Sequence, residues 1–108
     1  MAWLVITIAG VLEAVWAIAL KESDGFSKLV PTLIFLAAGG ASIVLLALAL
    51  RELPVGTGYA VWTGIGAVGA ALAGVVVLGE AATAPRLAAI ALIATGIVWL
   101  ALQEGASA

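Results

Sequence analysis

Glu13 is the one charged residue inside the apolar stretch from Trp3 to Leu20, where Thr7 is the other polar side chain. A carboxylate in the middle of a membrane-length segment costs about 2.5–3.5 kcal/mol on insertion scales, so it must face a protein partner or a watery cavity, and such a residue marks a functional site by default. On the same helix Ala9, Gly10, Ala14 and Ala17 recur near Glu13 at helical spacing, and their small side chains let other helices approach. Trp16 lies one turn after the carboxylate, where an interfacial anchor is the plain alternative to a place in the site. Trp3 and Trp99, nearer the ends of their segments, read as anchors only.

Other side chains with chemistry to offer are few. Ser42 closes the run Gly39-Gly40-Ala41-Ser42, and its hydroxyl has two candidate partners, a buried carboxylate or its own helix backbone. Tyr59, Trp62, Gly66, Gly69 and Ala73 recur at i, i+3, i+7, i+10 and i+14, which sets two aromatic rings in line with a small-residue groove. Residues 64–69 spell the glycine pattern of a dinucleotide site, but no strand precedes them and no βαβ unit surrounds them. Gly10, Gly64, Gly66 and Gly69 are therefore read as places for close helix packing and bending.

Whole reaction classes drop out. The chain has no Cys and no His, so disulfides, thiol chemistry, a His-based triad and a zinc site are excluded. No second carboxylate is embedded in an apolar segment, which removes an intramembrane hydrolase, and no cofactor or metal is expected. A net charge of −2 with only four basic residues argues against nucleic acid. Ala17-Ile18-Ala19 mimics a signal-peptidase site, but the stretch before it lacks a basic start and contains Glu13.

The elements that must position these residues follow from hydropathy. Of the 108 residues, 66% are hydrophobic and 9% charged, with a mean hydropathy of +1.34. A soluble domain of this size has no means of hiding so much apolar surface. Four stretches, 3–20, 29–50, 55–78 and 87–102, each rise about 24–36 Å at 1.5 Å per residue, against a hydrocarbon core of about 30 Å. The expectation is a single all-α membrane domain over 1–108, with connections at 21–28, 51–54 and 79–86 that carry Gly25, Pro54, Gly79 and Pro85. Pro31 and Pro85 fall near first helical turns, where a missing N–H removes no bond. In the fourth span Ala91 and Thr95, with Ala89 and Gly96, give small-residue faces suited to contact with another copy. Lys21, Lys28 and Arg86 share one side and Arg51 with the N-terminal amine the other, a bias slight enough to permit insertion in both orientations.

In order along the chain, Glu13-Ala14-Val15-Trp16-Ala17, Lys21, Gly25-Phe26, Pro31 and the run from Leu53 to Gly66 (Leu-Pro-Val-Gly-Thr-Gly-Tyr-Ala-Val-Trp-Thr-Gly-Ile-Gly) resemble the small multidrug resistance transporters. Trp16 one turn after the glutamate looks like the guanidinium-exporting subtype, since relatives that export bulky quaternary ammonium compounds tend to have glycine there. Ile43-Val44 depart from the pattern, because members usually place aromatic residues after the serine.

The resemblance implies four transmembrane helices per subunit, an antiparallel dual-topology homodimer in the bacterial inner membrane, and exchange of a cytoplasmic guanidinium-type cation for protons. It also implies that Glu13 binds substrate and proton while Trp16, Ser42, Tyr59 and Trp62 line the site. The chemistry suits this. Guanidinium is planar, always charged and able to give one carboxylate two parallel hydrogen bonds, and aromatic faces hold its π-surface. The alternatives are a quaternary-ammonium or multidrug exporter of the same family, and a membrane scaffold without transport, which leaves the buried glutamate unexplained. A rotor proteolipid fits less well, since its carboxylate sits in the second helix of a hairpin.

Overall fold

The computed structural model describes residues 1–107, with side chains placed through Glu104. Four helices account for nearly all of it: α1 (Ala2–Glu22), α2 (Leu29–Ala49), α3 (Val55–Leu78) and α4 (Ala84–Ser107). All four are long and apolar enough to cross a membrane. Three of the four begin or end slightly away from the apolar runs. α1 continues through Lys21 and Glu22, because both are good helix formers and Lys21 lies in the last turn, where its charge suits the exposed carbonyls. α2 ends one residue before Leu50, and α4 starts at Ala84, three residues earlier than the run from Leu87, so that Pro85 occupies its first turn.

The connections are tight, and each has a physical device. Ser23 is fully buried, donates through Oγ to the Leu20 carbonyl (2.7 Å) and accepts from the Phe26 N–H (3.1 Å). Asp24, Gly25 and Phe26 then run through the left-handed region with φ of 47°, 69° and 67°. Only glycine takes that conformation freely, so Phe26 is held there by its surroundings, among them a ring contact with Phe35 at 5.6 Å. At the end of α3, Gly79 (φ 68°) reverses the chain, and the Glu80 N–H turns back to the Gly74 carbonyl (3.1 Å).

α1 is the centre of the arrangement. It packs against both α2 and α3, which touch each other little, while α4 packs on α3 alone. The body measures 45 × 34 × 17 Å. Its length suits a bilayer with headgroups, about 40–45 Å, and its thickness is less than two helix diameters of about 10–12 Å. A slab that thin buries little. The core is a small cluster of Ile6, Ala9, Leu46, Ala49, Val61 and Trp62, and α4 is almost wholly exposed.

Candidate functional site

The site is built where α1 passes between α2 and α3. Glycine allows the close approach on the α3 side: a Cβ on Gly10 would stand 2.6 Å from Ile65 Cγ2, one on Gly66 would stand 2.6 Å from Glu13 Oε2, and one on Gly69 would stand 2.9 Å from Ala14. Gly66 thus makes the room in which the Glu13 carboxyl lies. Its Oε2 is buried and has no hydrogen-bond partner.

On the α2 side a serine ties three helices together. Ser42 is fully buried, and its hydroxyl donates to the Ala9 carbonyl (2.6 Å) while accepting from Trp62 Nε1 (2.9 Å). In an α-helix the Ala9 carbonyl also serves the N–H of Glu13, four residues on. Ser42 and Trp62 therefore brace the very turn that carries the carboxylate. Of the two partners the sequence left open for Ser42, the structure takes neither: the acceptor is the backbone of α1, because α2 runs close enough for a short hydroxyl to reach it.

Trp16 extends the site by one turn. Its ring lies on Gly39, where an added Cβ would be 3.8 Å from the indole, and meets Phe35 edge-on at 5.6 Å and 77°. Its Nε1, like Glu13 Oε2, is buried without a hydrogen-bond partner. Phe35 is not singled out in the sequence and Gly39 only as the start of the run that Ser42 closes, yet both share the Ser42 face of α2, at seven and three residues before it, and that spacing is the signal that finds them. Tyr59 is set apart. It is 54% exposed, reaches the cluster only through a tilted ring contact with Trp62 at 5.4 Å, and also borders a shallow α3/α4 groove with Gly64 and Gly96.

The remaining residues divide clearly. Gly64 is a packing glycine, since a Cβ there would collide with Ile97 of α4, whereas one on Gly96 meets nothing within 4 Å. Ala89 is exposed on α4 with Gly96. Ile43 and Val44, each 59% exposed, lie on the outer surface of α2 away from the buried Ser42. Among the described residues no group of acidic side chains could hold a metal ion. Arg86 and Glu80 form an exposed ion pair at 2.6 Å.

Residues 1–93 match the family model described as Small Multidrug Resistance protein. Curated relatives named Guanidinium exporter include the following two. That of Yersinia pseudotuberculosis serotype I (strain IP32953) is 56% identical over 104 residues, which is 96% of this chain and all of the relative. That of Escherichia coli (strain K12) is 57% identical over 103 residues, 95% of this chain and 98% of the relative. With four membrane-length helices, a match over most of its length and relatives similar from end to end, the chain belongs to the small multidrug resistance family of multi-pass membrane proteins.

Proposed function

We propose that this chain exports guanidinium and slim substituted guanidinium cations in exchange for protons, working as an antiparallel, dual-topology homodimer in the bacterial inner membrane. The observation that carries the reading is Glu13 Oε2, a buried carboxylate oxygen without a hydrogen-bond partner in the middle of a membrane helix. The names of the similar relatives supply the substrate class.

Glu13 takes either a guanidinium ion or a proton. Because one carboxylate serves both, a proton arriving from one side displaces the cation, and exchange needs no separate coupling machinery. Two parallel charge-assisted hydrogen bonds hold the planar cation. Trp16, packed on Gly39 and Phe35, narrows the space along α1, and its unpartnered Nε1 is one turn from the carboxylate. Ser42 and Trp62 hold the turn, and Tyr59 stands at the outer edge of the aromatic cluster.

A second copy is part of the reading. The subunit is a slab only 17 Å thick, and Ala89 and Gly96 on exposed α4 offer a close-packing face to another α4. The test is exchange in proteoliposomes carrying a proton gradient, with guanidinium, methylguanidinium and tetraphenylphosphonium compared. Gradient-driven movement of the two guanidinium ions, with tetraphenylphosphonium far slower, is expected. Equal movement of all three would replace this reading with the multidrug alternative.

A further inference from the structure

A concavity of about 680 Å³ does not include Glu13 in its lining. Its α1 wall is formed by Val11, Ala14, Val15, Ile18, Ala19 and Glu22. At 100° per residue these lie about 100–240° around the helix from Glu13, so the recess opens mainly on the far side of α1 and meets the carboxylate site only at the Ala14–Gly69 contact. Pro31 of α2 and Ala73 of α3 form parts of its flanks. We infer that this recess is a seat for one bilayer lipid whose headgroup carries a primary ammonium.

Three features point to that occupant. From Val11, near the midpoint of α1, to Glu22 at its end, the rise is about 16 Å, which is half of the roughly 30 Å hydrocarbon core. The recess therefore runs the depth of one leaflet, the span of one acyl chain. Its wall is apolar except at the interfacial end, where Glu22 is the one charged residue that lines it. That carboxylate sits at headgroup level.

Headgroup choice follows from charge. Lys21 and Lys28 in the adjoining turn are offset by Glu22 and Asp24, so the segment as a whole gives no pull on a net anionic lipid. Every phospholipid offers a phosphate, which leaves Glu22 to discriminate. An ethanolamine headgroup presents N–H donors to it, a choline headgroup presents charge without a donor, and a glycerol headgroup presents no cation.

The experiment uses the purified dimer-forming protein in mild detergent with equal amounts of phosphatidylethanolamine, phosphatidylcholine and phosphatidylglycerol of identical chains. Retained lipid is read by native mass spectrometry. Phosphatidylethanolamine is expected to be retained up to about fivefold over the other two, the range of an interfacial ion pair. Glu22→Gln levels the three while leaving guanidinium exchange unchanged, and Ala73→Phe, which fills the recess, lowers retention of all of them. Equal retention by the unmodified protein, a preference for phosphatidylglycerol, or indifference to Glu22→Gln overturns the proposal. So does efficient disulfide cross-linking between copies through Val15→Cys, which would place a second chain, not lipid, over this face.

Discussion

The hydroxyl of Ser42 ties the turn of α1 that carries the carboxylate to α2 and α3. Ser42 satisfies Trp62 Nε1 and shares the Ala9 carbonyl with the turn of Glu13. Ser42→Ala leaves a buried indole N–H unpaired, a loss of about 1–3 kcal/mol. Trp62→Phe removes the donor as well, so the double variant is expected to lose less stability than the two singles together, measured as a cycle of unfolding midpoints in detergent. Glu13→Gln keeps size and hydrogen-bonding capacity but removes the exchangeable charge. It is expected to abolish proton-driven guanidinium exchange while leaving a folded, helical protein by circular dichroism; exchange at the unmodified rate would remove Glu13 from the mechanism. In the proposed reading one carboxylate serves two ligands, so apparent guanidinium affinity is expected to fall as pH is lowered, and titration calorimetry at several pH values reads that sign directly. Trp16→Gly opens the space beside Glu13 and is expected to raise tetraphenylphosphonium transport relative to guanidinium.

Elements were more legible than contacts. Four apolar runs with proline and glycine between them located α1 to α4 to within three residues at their starts, because the energetic signal for a span is summed over some twenty residues. The carboxylate and its aromatic neighbours stood out for a related reason, since polar groups are few where apolar ones are required. Pairings between helices were not legible. That Ser42 reaches Ala9, that Trp16 rests on Gly39 and that Tyr59 drifts toward α4 all depend on rotation and crossing of helices whose surfaces are nearly uniformly apolar. Periodicity says which residues share a face and not which face meets which neighbour. The glycines divide by the same criterion: Gly66→Ala forces the Glu13 carboxyl to move and is expected to reduce exchange at least tenfold, the cost of about 1.4 kcal/mol in the transport step, whereas Gly96→Ala, facing open space, leaves the fold of a single subunit unchanged. Comparison of the two variants by exchange assay and by thermal unfolding separates site from scaffold.

At the scale of the molecule, the distribution of charge decides which way the chain enters the bilayer. Arg86 is paired with Glu80 across the third connection, while Lys21 and Lys28 adjoin the acidic Glu22 and Asp24 in the first, and Arg51 lies in the second. The excess of basic residues on the side of the first and third connections is three against one, and the N-terminal amine narrows it further. So small a difference permits insertion in both orientations, and in the proposed reading a slab with Glu13 on one face of α1 completes a chamber against an inverted neighbour. Because the natural chain has no cysteine, Ser27→Cys gives a single label site in the exposed first connection. In intact cells and in inverted vesicles a membrane-impermeant maleimide is expected to reach that position in comparable fractions. Adding lysines beside Ser27 should drive the population to one orientation and extinguish exchange, and an equal amount of a copy fixed in the opposite orientation by lysines beside Arg51 should restore it. Labelling of the unmodified loop from a single side, with full exchange activity, would reject the antiparallel pair and require each Glu13 site to be completed by a parallel partner.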